Sequence, residues 1–410
     1  MYSREPNKNT TSCIPTFYLA IWVLHLDFYE FIKSRSMPKH RLNQANRIVV
    51  KLGSNVITAK NGLDLDVIDA ITYQVNILMN KGIEVILVSS GAMAAGMRKL
   101  EIERRPDEIP KRQALSAIGQ SGVMHAYEKS FEAYGRKIAQ ILLTGDDLTN
   151  RKRYLNARNT LHAIMNWKII PIINENDTVM VEEIKLGDND NLAAMITLLI
   201  DADFLFILTD IDGLYDKDPR QFSDAKLIPE VRKIRREIED FAGSIPGALG
   251  TGGMLSKVRA AQKVTSAGIP MIVARGNVGN VLLDLFDGQV SGTYFVPKEG
   301  KMASRKCWIA HTLAPKGSIV IDEGAVCAIR QRGKSLLPIG VIAVDGDFEE
   351  GASVDFRTPN NEIIGVGLVN YRSSDINLIK GLRTSQIKAC LGGKHYDEII
   401  HRNNLVLKEP

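Results

Sequence analysis

Cysteine is scarce and unpatterned: Cys13, Cys307, Cys327 and Cys390 are the only four in 410 residues, and no C-x-x-C occurs. That excludes a disulfide framework and leads us to expect a reducing, cytoplasmic setting. The histidines form no metal-ligand cluster with the cysteines, which argues against a zinc centre. No G-x-S-x-G elbow with a histidine partner is present, which excludes a serine hydrolase. Charge of one sign is also lacking, with 52 Lys and Arg against 47 Asp and Glu. A net charge of +5 over this length carries no argument for nucleic acid or a membrane surface. The apolar run Phe17–Leu26 follows Arg4 and Lys8 but is too short to span a bilayer, and no small-residue cleavage site follows it. Repeats and low-complexity tracts are absent.

What remains is ordinary globular usage, 45% hydrophobic and 24% charged, over a length that favours two or three domains. Residues 1–45 differ from the rest. We expect them to be an atypical extension from an upstream reading frame, with Met37 as the working start; an amphipathic surface helix is the alternative.

Six apolar runs each break into a glycine or polar turn: Ile48–Gly53, Val85–Gly91, Ile141–Asp147, Ile169–Asp177, Phe204–Asp212 and Met271–Gly276. Helical patterns alternate with them, as in Leu65–Met79, Gln113–Tyr134 and Tyr154–Trp167. The alternation predicts buried parallel strands in an α/β sheet covered by helices on both faces. Ligands of such sheets lie beyond the carboxyl ends of the strands, which makes Lys51, Ser89, Ser90, Asp177, Thr209 and Asp210 the first candidates for chemistry. Residues 46–290 are expected to form this unit, 291–315 a linker and 316–395 a small β-rich barrel-like domain. In that domain Ser318–Ile321, Ala325–Ile329, Gly340–Val344, Ser353–Phe356 and Ile363–Val369 read as short β pieces. Residues 396–410 are expected as a tail.

Gly250–Lys257, GTGGMLSK, leads into a helical stretch. Free amide groups and a positive helix end at such a place suit phosphate, and Lys257 lies one turn inside. The spacing is not that of a P-loop, and a plain flexible turn is the competing reading. Lys51 interrupts an apolar strand, where a lysine needs an anion unless it snorkels outward. Ser89-Ser90-Gly91-Ala92 permits close backbone approach to a carboxylate or phosphate, or simply caps a helix. Asn174–Asp177 and Gly187–Asn191 are the densest polar runs and exceed what one cap requires; neither matches a calcium loop. Asp210 at a strand end either orients Lys257 or forms a turn.

In chain order, VVKLGSN, VSSGAMAAG, LNARNT, INENDTV, IKLGDNDNLAA, ILTD, GLY with a following DP, and GTGGMLSK resemble the amino acid kinase family. The later GSIVIDEGA and SLLPIGV resemble the PUA domain that many members carry. The resemblance implies a three-layer α/β/α amino acid kinase sheet followed by a PUA-like barrel. It also implies transfer of phosphate from ATP, with Mg²⁺ on the nucleotide, to the γ-carboxylate of L-glutamate as the first step of proline synthesis. Carried over by position, Lys51, Lys257 and Asp210 would be catalytic. Lys51, Thr209, Asp210, Thr251, Gly252, Gly253, Met254, Leu255, Ser256 and Lys257 would bind ATP, and Ser90, Asp177 and Asn189 would hold glutamate. No protein metal site is expected. Asp188, Asp190 and Asp210 would keep the lysines charged and aimed. Family analogy adds a homotetramer, feedback inhibition by proline and coupling to a glutamyl-phosphate reductase. Acetylglutamate, aspartate or a nucleoside monophosphate is the competing acceptor. The PUA resemblance raises RNA as a partner, but ten Lys and Arg against nine Asp and Glu over 316–394 give no electrostatic footprint for it.

Overall fold

The structure is a computed structural model that describes residues 39–60, 62–179, 189–243, 253–289, 292–300, 304–311, 313–392 and 396–408. The N-terminal extension up to residue 38 with its Met37 start, Asp188, Thr251 and Gly252 lie outside those residues.

All six expected runs form strands: β1 (Arg47–Leu52), β2 (Glu84–Val88), β3 (Ile138–Leu143), β4 (Ile170–Glu175), β5 (Phe204–Thr209) and β7 (Met271–Arg275). They pair in parallel as β3-β4-β2-β1-β5-β7. Two short strands complete the eight-stranded sheet: β8 (Gly292–Phe295) is antiparallel to β7, and β6 (Glu230–Val231) lies outside it. The stretch expected as a linker therefore supplies a sheet strand. Ile86, Val49 and Ile207 face one core layer while Leu87, Val50 and Phe206 face another, as period-2 alternation in a doubly covered sheet requires.

The chain leaves β1 towards β2, β4 and β3 on one side, then crosses to β5 and β7 on the other. The strand order thus reverses at β1, the place where open α/β sheets form a crevice. The helices of this part of the chain include α1 (Leu65–Asn80), α2 (Ala92–Lys99), α3 (Ile109–Glu132), α4 (Arg151–Asn166), α5 (Asn189–Leu199) and α6 (Met254–Ser266). Nearly every residue of α5 is buried, as expected for a helix apolar on all sides. It packs against β1 and α6.

Helices α2 and α3 touch backbone to backbone. A Cβ on Gly119 would sit 1.9 Å from the Ala92 carbonyl oxygen, and one on Gly96 would sit 1.9 Å from that of Leu115. Gly119→Ala is expected to destabilise the protein by about 3 kcal/mol, the upper range for overpacking. The same change at Gly122 on the same helix, where a Cβ meets nothing within 4 Å, should be neutral or mildly stabilising. Chemical denaturation of the two variants checks this.

The C-terminal sheet has five strands, β10-β9-β11-β12-β13 in spatial order: β9 (Ser318–Ile321), β10 (Val341–Asp345), β11 (Ser353–Arg357), β12 (Ile363–Leu368) and β13 (Leu405–Leu407). β13 lies in the segment expected as a tail. Ala325–Ile329, expected as a β piece, is instead part of a helix, Glu323–Arg332. Asp322 caps that helix by accepting from the Ala325 amide, and the run between was too short to show its period. Between the two sheets, the helix α7 (Ser304–His311) buries Cys307, Trp308 and Ile309 in the core layer of the first sheet, which one edge of the C-terminal sheet joins. Trp308 Nε1 donates to the Leu148 carbonyl at 2.9 Å, while Leu368 and Val406 belong to the same cluster.

Candidate active site

Lys51 points from β1 into the crevice and is only 7% exposed; Lys257, on the first turn of α6, is 5% exposed. Both reach one carboxylate. Asp190, on the first turn of α5 and 1% exposed, lies 2.7 Å from Lys51 Nζ through Oδ1 and 3.0 Å from Lys257 Nζ through Oδ2. Ser256 Oγ donates to Oδ2 at 2.5 Å. Burial by itself would raise the Asp190 carboxyl, but the Lys257 and Lys51 ammonium groups and the hydrogen bonds from Lys51 and Ser256 outweigh it and hold it well below the usual carboxylate range. Two cations on one anion sum to a positive charge, which a polyphosphate complements.

The surroundings of the two lysines are open to backbone approach. A Cβ on Gly53, in the turn after β1, would sit 3.2 Å from the Leu208 carbonyl oxygen and 3.8 Å from Lys51 Nζ. The N-terminus of α6 has Gly253 as its cap residue with no side-chain capping bond, so the first-turn amides of Met254 and Leu255 remain for an anion. Thr209 and Asp210 lie beside this at the end of β5. Asp210 accepts from Asn55 Nδ2 at 2.9 Å and from Thr209 Oγ1 at 3.1 Å. Burial opposes its ionisation, but those bonds and the field of Lys257 lower its carboxyl. The acid that grips Lys257 is Asp190; Asp210 is held by Asn55 and Thr209 and acts on Lys257 through space.

On the other side of β1 lie the ends of β2 and β4. Asn189 is buried, and its Nδ2 lies 2.9 Å from Ser90 Oγ, 3.1 Å from the Ser89 carbonyl and 3.1 Å from Asn174 Oδ1. Among the described residues no donor reaches its own enclosed Oδ1, a state that a ligand donor would relieve. Gly91, at φ 90°, makes the left-handed turn that starts α2 directly after Ser90. Beyond Asn174 is a cavity of about 320 Å³ lined in part by Ser116, Gln120, Gln140, Glu175, Asn176 and Asp177. Burial raises the Asp177 carboxyl, partly offset by a hydrogen bond with Ser116.

The structure thus brings Lys51, Asp190, Ser256 and Lys257 together, sets Thr209 and Asp210 beside them, and pairs Ser90 with Asn189 across the crevice, while Asp177 bonds Ser116 on the wall of the neighbouring cavity. Sequence reasoning missed Asn55, Ser116, Gln120, Tyr127 and the central part of Asn174. Of these, Asn55 closes the VVKLGSN run and Asn174 opens the polar run at the end of β4; the others carried no signal. Among the described residues, no three His, Cys, Asp or Glu side chains converge as metal ligands.

Residues 46–275 match the amino acid kinase family, and residues 317–391 match the PUA domain. The chain is 50% identical over 367 residues to a glutamate 5-kinase of Geobacter sulfurreducens, a match covering 89% of this chain and 98% of the relative. It is 48% identical over 364 residues to a glutamate 5-kinase of a Thermoanaerobacter species, covering 88% and 98%. A third, from Syntrophus aciditrophicus, is 50% identical over 366 residues, covering 89% and 95%. These matches show that the chain belongs to the amino acid kinase family and carries a PUA domain after its kinase domain.

Proposed function

We propose that the protein is a glutamate 5-kinase, which transfers the γ-phosphoryl group of ATP to the γ-carboxylate of L-glutamate, forming L-glutamyl 5-phosphate and ADP. The observation that carries this is the Lys51–Asp190–Lys257 array at the strand reversal, with an acceptor-lined cavity across the crevice. A glutamate side chain titrates near ~4.3, so the nucleophile is ionised at neutral pH and needs no base. One of its oxygens forms the new bond to the γ-phosphorus, and the bond to the β,γ-bridging oxygen breaks, its electron pair leaving with ADP. The difficulty is the approach of two anions. Lys51, Lys257 and the amides of the Gly253 turn neutralise and align the phosphates, and Ser256 and Asp190 fix the lysines. Mg²⁺ entering with the nucleotide would supply further charge neutralisation.

Thr209 and Asp210 complete the nucleotide side in this reading, together with the Thr251–Lys257 loop. Ser90, Asn189 and Asp177 hold glutamate, with Asp177 and the unpaired Asn189 Oδ1 accepting from the α-ammonium. An N-acetylated acceptor loses that pairing. The same reading carries the first step of proline synthesis, proline as feedback inhibitor, a homotetramer, a reductase that consumes the labile acyl phosphate, and a cytoplasmic location. It also draws the kinase unit from residue 46 through α7, with the PUA unit continuing through β13. Among the described residues, no helix is long and apolar enough to cross a membrane.

Asp177→Asn tests the acceptor side. Loss of a charge-assisted pair is expected to lower kcat/KM for glutamate by about 10- to 100-fold, with KM for ATP unchanged. Because burial raises the Asp177 carboxyl, wild-type kcat/KM for glutamate should fall as pH drops through that raised value, and the variant should keep only the limb of the substrate's own carboxylate near ~4.3. Steady-state ADP release with L-glutamate, N-acetylglutamate and L-aspartate across acidic pH checks both. Equal kcat/KM for glutamate in wild type and variant would refute the assignment.

A further inference from the structure

Ser116, Gln120 and Tyr127 lie on α3 at spacings of four and seven residues, within roughly 40° of one another around the helix axis. Each touches a different part of the acceptor side. Ser116 hydrogen-bonds Asp177. Gln120 Oε1 accepts from Asn174 Nδ2 at 2.8 Å, and Asn174 Oδ1 in turn accepts from Asn189 Nδ2 and from the Glu175 amide. The Tyr127 hydroxyl lies 3.0 Å from Ser89 Oγ, and the Ser89 carbonyl accepts from Asn189 Nδ2. Tyr127 and Ser89 are 0% and 1% exposed, so neither hydroxyl exchanges this partner for solvent. The helix is itself fixed to the turn that carries Ser90, because α2 starts at Ala92 and the two helices meet backbone to backbone at Gly96 and Gly119.

We propose that this one face of α3 is the positioning element of the acceptor site: Ser116, Gln120 and Tyr127 set Asp177, the Asn174–Asn189 pair and the Ser89-Ser90 turn, and touch no phosphate. The inference rests on the acceptor assignment above. Among the described residues, the hydrogen bonds of these three side chains go to Asp177, Asn174 and Ser89, on the acceptor side of the crevice. A hydroxyl or amide lost from this face therefore loosens glutamate and leaves ATP alone. This placement also makes Gln120 and Tyr127, which present no charge of their own, determinants of acceptor affinity.

The test uses the full-length protein and the variants Tyr127→Phe and Gln120→Leu, each close to isosteric, with KM for glutamate, KM for ATP, kcat and melting temperature read together. Loss of one hydrogen bond in each is expected to raise KM for glutamate about fivefold, with KM for ATP unchanged, kcat within about twofold and the melting temperature held. The double variant should raise glutamate KM further, because the two bonds serve different residues. Unchanged glutamate KM in both single variants overturns the proposal. So does a joint loss of kcat, both KM values and melting temperature, which marks a purely structural role. Wild type is run alongside: absence of glutamate-dependent ADP release there refutes the acceptor assignment itself and removes this inference with it, an outcome distinct from either of the others.

Discussion

Asp190→Asn is expected to lower turnover about a thousandfold and to destabilise the protein by about 3 kcal/mol, the cost typical of breaking a buried charge pair by removing one partner. The substitution keeps the shape and the bond to Ser256 but leaves two buried ammonium groups facing an uncharged amide. Their mutual repulsion then loses its shared counter-charge, with Asp210 acting on Lys257 only through space, so the geometry that receives the phosphates loosens. The pH dependence has a definite sign. The folded-state pKa of Asp190 is depressed, so its contribution to stability is present above the unfolded carboxylate value near ~3.9 and is lost only as pH falls through the depressed value. The stability gap between wild type and Asp190→Asn should therefore be constant through the neutral range and close in strong acid. Urea denaturation at a series of pH values, with single-turnover kinetics at neutral pH, checks both parts. A variant with near-normal turnover would show that the shared carboxylate does not organise the site.

Lys257→Met is expected to reduce kcat by about 100- to 1,000-fold, the range seen when one preorganised group facing developing charge is removed. Methionine keeps most of the buried stem and removes the charge. Asp190 retains Lys51 as its partner, so no buried ion is left alone, and stability should hold within about 1 kcal/mol. This contrast matters: Asp190→Asn damages folding and chemistry together, whereas Lys257→Met damages chemistry alone. KM for glutamate should change little, because the acceptor residues lie across β1 from the ammonium. A loss confined to glutamate KM, with kcat intact, would place Lys257 outside the phosphoryl path.

The six parallel strands were legible because a strand buried on both faces is a continuous apolar run, and its end is marked by the first glycine or acid. Lys51 was legible for the same reason, as a cation with no business in such a run unless an anion meets it. Short elements were not. Gly292–Phe295 has four residues and no alternation, and its place in the sheet depends on pairing with Met271–Arg275, which no local signal encodes. Ala325–Ile329 is an apolar run that fits a strand or one helical turn equally, and only the Asp322 cap decides. The α3 face was illegible for a different reason. Its residues act through Asp177, Asn174 and Ser89, so their types carry no motif, and a serine, a glutamine and a tyrosine on a long helix look like ordinary surface and core until the packing at Gly96 and Gly119 shows what they face.

The role of Asp210 marks a limit between these cases. Its position after β5 was clear from the sequence, but its partners, Asn55 and Thr209, come from the turn after β1 and from its own neighbour. A carboxylate at a strand end can serve any cation that the fold delivers to it. Which acid meets Lys257 was settled by the approach of α5 to α6, a tertiary event.

The measurement that bears most directly on the central claim is trapping of the product with hydroxylamine while ADP is counted in the same reaction. With ATP, Mg²⁺ and L-glutamate, the account predicts γ-glutamyl hydroxamate and ADP in equal amounts, neither above background when glutamate is omitted, and both formed at least about 100-fold more slowly when Lys257→Met replaces wild type. ADP released at the same rate without glutamate, or released without hydroxamate, would contradict it.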